Sequence, residues 1–326
     1  MNGLGIELEM NLDKLMKIAL VGVGGLGSLF AARLCQHANV TLLARGVRLQ
    51  QLREQGIHLR LEQGAESYSA DRFRILDSEL AEDLALLEDL DFLIFTCKTQ
   101  QTRSLAELLV GQVSESCQVI SLQNGVDNER VLSDVFGRPV IGGMTVRFGS
   151  HLNSDGSVGV VGELISRFGV YPTGSNERVE QLVSVMEQGG FSASQTDNIC
   201  LESWKKMVIN CACNPVSALL PGDIQSLYQS EPTRWLMVNM MREAAVAAAA
   251  DGVEIGPQQL DKLAGMLANM PALKSSMQVD AERGTPLELD GLTGAVLSRA
   301  AQLGQEALVT ASVHHLLLAK YPNAAV

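Results

Sequence analysis

Lys206, Asn210 and Asn214 recur every four residues within the otherwise apolar segment 204–215. Residues four apart lie one turn apart on the same face of an α-helix, so the segment predicts a polar stripe along an apolar helix. Ammonium and carboxamide groups that are buried need hydrogen-bonding partners, because each unsatisfied group costs about 1–3 kcal/mol. A polar substrate lying along the stripe would supply them. Alternatively, the three side chains bridge to a neighbouring domain, and the spacing alone does not separate the two interpretations.

A second segment capable of binding chemistry is Gly22-Val23-Gly24-Gly25-Leu26-Gly27, which has the spacing G-x-G-x-x-G. An apolar run at 17–21 precedes it and a helix-forming segment at 26–36 follows. In dinucleotide-binding folds such glycines form a tight turn and let the backbone approach a pyrophosphate at a helix N-terminus. We therefore predict that these six residues bind a dinucleotide. The alternative is a glycine-rich hairpin in an unrelated fold.

Arg45 follows the apolar run 40–44, with Arg48 close behind. An NAD-selective site usually has an acidic residue about 20 positions past the glycines, at the end of the second strand. An arginine there suits the 2′-phosphate of NADP(H), through charge-assisted hydrogen bonds worth about 1.5–3 kcal/mol. The prediction is therefore NADPH/NADP as the cofactor, with a solvated arginine at a strand end as the alternative.

The elements that must position these residues fall into two parts. Up to about residue 196, short apolar runs alternate with amphipathic segments, which is typical of a parallel sheet with helices on both faces. Beyond it, periodic helical segments dominate. We predict an N-terminal extension at 1–15, an α/β Rossmann-type doubly wound sheet that binds NADP at 16–196, and an all-α C-terminal substrate and catalytic domain at 197–326. The cleft between the two domains is the expected substrate site.

The individual elements are predicted from periodicity and from turn residues. The predicted strands are 17–21, 40–44, 92–97, 119–122, 140–145, 157–161 and 168–171. The predicted helices are 26–36, 46–55, 78–89, 101–111, 127–136, 176–187, 199–213, 231–250, 257–269, 271–282 and 288–303.

Composition narrows the class of protein. The chain has 326 residues, of which 46% are hydrophobic and 19% are charged, as in a globular protein of about two domains. Its net charge of −12 argues against nucleic-acid or anionic-membrane binding. The six cysteines show no C-x-x-C spacing, so free thiols in the cytoplasm are expected and a metal site is not. The sequence leaves open whether the protein is a monomer or a homodimer.

Four further segments carry a family resemblance. They are Lys98-Thr99-Gln100-Gln101, Gln123-Asn124-Gly125, Lys274-Ser275-Ser276-Met277 and Pro286-Leu287-Glu288-Leu289-Asp290. Together with the glycine motif and the segment 204–215, in this order, they make the chain from Met16 onward similar to the ketopantoate reductase (2-dehydropantoate 2-reductase) family.

The resemblance implies NADPH-dependent reduction of 2-dehydropantoate to pantoate, a step toward pantothenate and coenzyme A. It also implies roles for individual residues. Lys206 matches the catalytic lysine and Glu288 its acidic partner. Asn210, Asn214 and Ser276 match positions that hold substrate. Lys98 and Asn124 match positions that face the nicotinamide side of the cleft. There Lys98, Asn124 and Glu288 would contact the cofactor. Lys98 and Asn124 would also contact the substrate.

Two departures from the family pattern lie near the expected substrate. The segment 218–223 lacks the asparagine of a Pro-Asn-Gly stretch, and Thr293 stands where members often have asparagine. They put the identity of the 2-keto acid in doubt but not the reaction type. The alternatives are an NADPH-dependent reductase of another small 2-keto acid and a non-catalytic NADP-sensing protein. The presence of both Lys206 and Glu288 argues against the latter.

Overall fold

The structure is a computed structural model that describes residues 15–270 and 272–322. The extension predicted at 1–15 therefore lies outside the described residues except for its last position. The described strands are β1 Met16–Val21, β2 Ala38–Ala44, β3 Ile57–Leu61, β4 Gly64–Tyr68, β5 Arg74–Asp77, β6 Phe92–Phe95, β7 Gln118–Ser121, β8 Ile141–Leu152, β9 Val158–Val170 and β10 Ser192–Gln195.

These strands form one sheet in the order β4-β3-β9-β8-β7-β6-β1-β2-β5, and β10 pairs with β9. Strand β1 pairs in parallel with β2 and β6, and β6 with β7, whereas β8–β9 and β3–β4 are antiparallel. The helices of this part are α1 Gly25–Leu34, α2 Gly46–Gln55, α3 Ala81–Leu84, α4 Thr102–Leu109, α5 Asn128–Phe136 and α6 Glu177–Gln188.

The alternation of side chains along β1 shows why the sheet is covered on both faces. Ile18 and Leu20 pack into one hydrophobic cluster, while Ala19 and Val21 pack into another on the opposite side. Successive side chains of a strand point to opposite faces, so an apolar run without polar alternation must bury both faces.

The remainder is helical. Its helices are α7 Ile199–Leu219, α8 Ile224–Gln229, α9 Glu231–Ala247, α10 Pro257–Ala268, α11 Ser276–Arg283, α12 Ala295–Gln302 and α13 Leu308–Lys320. A π-helical turn, Asp290–Gly294, precedes α12. A third hydrophobic cluster, with Trp204, Met237 and Leu267 fully buried or nearly so, lies within these helices. The predicted fold class, a Rossmann-type α/β sheet followed by an all-α part, is confirmed.

Several predicted elements differ in extent. The strands predicted at 157–161 and 168–171 are one strand, β9, which stays paired with β8 through an irregularity between Val146 and Phe148. The helix predicted at 78–89 is reduced to α3 and a short 3-10 turn. The strands β3, β4, β5 and β10 and the helices α8 and α13 were not predicted, although β3 alternates apolar and polar residues.

Helix α7 extends beyond its predicted end at 213. It continues through Pro215 to Leu219. An internal proline removes one backbone hydrogen bond and disfavours the helix. Trp204, Val208 and Cys211 are fully buried along the same helix, and this packing outweighs the local cost. Within the described ranges, no helix has the length and apolarity needed to cross a bilayer.

Candidate active site

The glycine turn lies between β1 and α1. Gly22 has φ +90°, and a Cβ placed there would lie 2.6 Å from the Cα of Cys97. A Cβ on Gly27 would lie 2.5 Å from the carbonyl oxygen of Gly22, so both positions require glycine. A Cβ on Gly24 would meet nothing within 4 Å, so this part of the turn is open to a ligand. The open backbone at the start of α1 fits a dinucleotide pyrophosphate.

The hairpin β8–β9 covers the same turn. A Cβ on Gly25 would lie 2.7 Å from the carbonyl carbon of Ser150, which explains the extra glycine within the motif. Arg48 links the glycine turn and α1 to the β8–β9 hairpin. Its guanidinium donates to the Val23 carbonyl at 2.9 Å, to the Ser28 hydroxyl at 2.8 Å and to the Gly156 carbonyl at 3.1 Å. Burial lowers the pKa of Arg48 to about 10.

Arg45 lies at the end of β2, as the sequence predicts, and is exposed. Its guanidinium is 3.5 Å from the carboxylate of Glu79, which is also exposed. An ion pair between exposed side chains contributes about 0–1 kcal/mol, so Arg45 is available to a competing anion. Its role toward a 2′-phosphate stays a prediction.

Lys98 and Glu288 meet across the cleft. The Lys98 ammonium is 2.7 Å from a carboxylate oxygen of Asp280 and 3.6 Å from one of Glu288. The backbone N–H of Thr99 donates to Glu288 at 3.2 Å. Although burial acts in the opposite direction, the carboxylates of Glu288 and Asp280 raise the pKa of Lys98. Lys98 is therefore held as a cation beside Asp280 and Glu288.

Lys206 lines a small pocket together with Ser203 and Asn210 of α7, and with Gln123, Gly125 and Met144 from the sheet. Among the described residues, its ammonium makes no hydrogen bond or ion pair. Burial lowers the pKa of Lys206 to about 8, against the opposing effect of the carboxylates of Glu288 and Glu129. An ammonium with such a pKa can donate a proton near neutral pH.

Glu129, in the first turn of α5, is only 4% exposed. Burial raises its pKa to about 7, and the charge of Asp127 acts in the same direction, while Ser121 and Lys206 oppose it. The buried Glu129 and the half-buried Lys206 thus each favour the charged form of the other.

The other predicted substrate residues lie in different surroundings. Asn124 is half-buried, and its backbone carbonyl accepts hydrogen bonds from the Thr99 hydroxyl at 3.1 Å and from the Asn128 side-chain amide at 2.8 Å. Asn214 is buried, and its side-chain oxygen accepts from the Cys213 thiol at 3.3 Å. Ser276 is exposed at the start of α11. The structure thus brings Lys206 and Asn210 into one pocket, with Asn214 one turn further along α7 and Ser276 on another helix.

The sequence analysis missed four polar residues of the candidate site. Gln123 and Ser203 line this pocket, Glu129 acts on Lys206 through its charge, and Asp280 pairs with Lys98. Ser203 lies on the same helix face as Lys206, three positions earlier, and extending the stripe backward would have found it. Glu129 reaches the site from a separate element, so no local spacing marks it. Gln123 adjoins the predicted Asn124, and Asp280 lies four positions after the predicted Ser276 on α11, so their neighbours were the available signal.

An ionic cluster around the buried Arg299 joins the two parts of the chain. The Arg299 guanidinium, 7% exposed, lies 2.6 Å from Asp251 and 2.9 Å from Asp127. The indole N–H of Trp204 donates to the same Asp251 carboxylate at 3.0 Å. Asp127 follows the Asn124-Gly125 turn and Trp204 is two residues from Lys206, so this cluster positions the turn relative to α7.

Two sequence models of one family match this chain consecutively. The model described as ketopantoate reductase PanE/ApbA matches residues 18–173, and the model of that family's C-terminal part matches residues 198–321. The chain belongs to the ketopantoate reductase PanE/ApbA family. It is accordingly an oxidoreductase of the 2-dehydropantoate 2-reductase type.

Individual relatives agree with this assignment. The 2-dehydropantoate 2-reductase of Pyrococcus horikoshii is 28% identical over 306 residues, covering 94% of this chain and 97% of the relative. That of Halobacterium salinarum is 26% identical and covers 87% and 92%.

Solved structures share the fold. The 2-dehydropantoate 2-reductase of Geobacter metallireducens superimposes with a TM-score of 0.83 at 25% identity, covering 94% of this chain and 100% of that one. A D-mandelate dehydrogenase solved with NADH and anilino(oxo)acetate has a TM-score of 0.85 at 20% identity, covering 95% and 100%.

Proposed function

We propose that the protein reduces 2-dehydropantoate to pantoate with NADPH, a step toward pantothenate and coenzyme A, and that Lys206 is the general acid. The observation that carries the proposal is Lys206 itself, half-buried in a polar pocket with its pKa lowered to about 8. The family membership and the names of the relatives support the same reaction.

The cofactor would be held by the glycine turn and by Arg45. The open backbone at Gly24 and the start of α1 fit the pyrophosphate, and Arg45 suits the 2′-phosphate because the carboxylate of Glu79 is its only partner among the described residues. Lys98, Asn124 and Glu288 would face the nicotinamide side. When bound, NADPH supplies the hydride.

The substrate carbonyl gains negative charge during reduction, and the chain must stabilise that charge. The Lys206 ammonium in this pocket can donate a hydrogen bond to the carbonyl oxygen and then a proton. Asn210, on the same face of α7, can hold the substrate through its amide. Asn214 and Ser276 would need a substrate that extends beyond the small pocket around Lys206. Glu288 is placed to orient Lys98 and to favour the protonated form of Lys206.

The test is the oxidation of NADPH by the purified protein with 2-dehydropantoate, followed at the nicotinamide absorbance. A panel of other branched 2-keto acids should be assayed in parallel. We expect 2-dehydropantoate to be turned over with the highest kcat/KM. Good turnover of another keto acid with none of 2-dehydropantoate would retain the scaffold and reaction type but refute the substrate.

A further inference from the structure

Gln123 is a buried amide whose orientation is set by its neighbours. Its Nε2 donates to the carbonyl oxygen of Cys97 at 3.0 Å and to the Thr102 hydroxyl at 2.7 Å. A carbonyl oxygen can only accept a hydrogen bond, so the atom facing Cys97 must be the nitrogen. The hydroxyl of Thr102 in turn donates to Oδ1 of Asn128 at 2.8 Å, which is consistent with the same direction.

The other end of this amide has no partner. Gln123 is 7% exposed, and its Oε1 accepts no hydrogen bond from any described residue. Buried polar atoms are nearly always paired in folded proteins, and an unpaired one costs about 1–3 kcal/mol. Gln123 also lines the pocket that contains Lys206, Ser203 and Asn210. A residue that lines the proposed substrate pocket and carries an unpaired acceptor is suited to a donor on the bound molecule.

The chemistry of the substrate limits what that donor can be. A 2-keto acid is ionised at neutral pH, so its carboxylate and its keto oxygen can only accept hydrogen bonds. A hydroxyl is the group through which such an acid can donate. We infer that Gln123 Oε1 accepts a hydrogen bond from a hydroxyl group of the substrate and so selects hydroxylated 2-keto acids over their deoxy analogues. This inference rests on the proposed function, and it names the substrate class that the two sequence departures leave open.

The test compares two substrates that differ by one hydroxyl. They are 2-dehydropantoate and trimethylpyruvate, which has a methyl group in place of the hydroxymethyl. The quantity measured is the ratio of their kcat/KM values with NADPH. For Gln123→Met, which keeps the length of the side chain and removes its acceptor, we expect this ratio to fall on the order of tenfold, as for the loss of one neutral hydrogen bond.

Gln278 offers a matched control. It is 6% exposed, its Nε2 donates to the Gly222 carbonyl at 3.0 Å, and its Oε1 is likewise unpaired among the described residues. It does not line the Lys206 pocket. Gln278→Met should therefore leave the substrate ratio unchanged, which separates loss of a buried amide from loss of substrate recognition.

Three results would overturn the inference. The first is an unchanged ratio in Gln123→Met with both kcat/KM values lowered equally, which would mean that the amide serves the cofactor or Lys206. The second needs no variant and applies even if Gln123→Met does not fold: equal kcat/KM for both keto acids in the wild-type protein. The third, no turnover of either keto acid, would refute the proposed function first and this inference with it.

Discussion

The ammonium of Lys98 and the carboxylate of Glu288, 190 positions apart in the sequence, lie 3.6 Å apart. Glu288 also accepts a hydrogen bond from the backbone of Thr99, so the carboxylate is fixed from the sheet side although it belongs to the helical part. The resemblance pairs Glu288 with Lys206, whereas the ion pair in the structure is with Lys98. The charge of Glu288 opposes the lowering of the Lys206 pKa, although these two side chains form no ion pair.

Replacing Lys206 should separate cofactor binding from the chemical step. Lys206→Ala should retain NADPH affinity, because no contact joins Lys206 to the glycine turn, and should lower kcat by roughly 10²- to 10⁴-fold through loss of general acid catalysis. Lys205→Ala is the control: its ammonium is paired with Glu202 at 2.8 Å and it should keep near-wild-type kcat. Steady-state kinetics together with NADPH fluorescence titration would measure both quantities. Wild-type turnover in Lys206→Ala would exclude Lys206 as the acid.

The pH profile should report the same group. Lys206 acts as an acid in its protonated form, and burial lowers its pKa to about 8. The value of kcat/KM should therefore be constant below this pH and fall as the pH rises through it, approaching a tenfold loss per pH unit.

Glu129→Gln should move that falling limb. The carboxyl of Glu129 has a pKa of about 7, so it is mostly ionised near pH 8 and favours the Lys206 ammonium. Removing its charge lowers the pKa of Lys206 further, and the limb should shift to lower pH. Glu177→Gln, an exposed glutamate in the first turn of α6, is the control. An unshifted profile in Glu129→Gln would show that the two groups are not coupled.

The two arginines after β2 should have different effects on cofactor binding. Arg45→Ala should weaken NADPH binding roughly 10- to 100-fold and leave NADH binding nearly unchanged, since only NADPH carries the 2′-phosphate. Arg48→Ala should weaken both cofactors, because Arg48 holds the Val23 carbonyl within the glycine turn. The dissociation constants of NADPH and NADH, measured for both variants and the wild-type protein, would test these expectations. Equal losses for NADPH and NADH in Arg45→Ala would refute the phosphate contact.

The buried cluster around Arg299 should matter for stability. Arg299→Met removes the buried guanidinium shared by Asp127 and Asp251, which are each about a quarter exposed. It should lower the free energy of unfolding by about 1–3 kcal/mol, between the values for exposed and fully buried pairs. Arg130 also pairs with Asp127, at 3.1 Å, but is 56% exposed, and Arg130→Met should cost about 0–1 kcal/mol. Urea unfolding of the two variants would compare them. Similar losses would mean that burial of the pair is not the deciding factor.

The sequence by itself determined the fold class, the strand–turn–helix around Gly22–Gly27 and the helical face that carries Lys206 and Asn210. Each of these follows from local periodicity, or from glycines that a tight turn requires, and local patterns are visible along the chain. The short element between 78 and 89 and the continuation of α7 through Pro215 were mispredicted, because packing overrides local preference at both places.

Only the tertiary structure decided which charges face one another. Glu129, Asp280 and Gln123 come from α5, α11 and the turn after β7, and they reach the site because the sheet and the helical part pack together. The pairing of Lys98 with Asp280 and the lowered pKa of Lys206 depend on distances and burial across that packing. Electrostatic interactions and desolvation act through space, so residue spacing along the chain does not encode them.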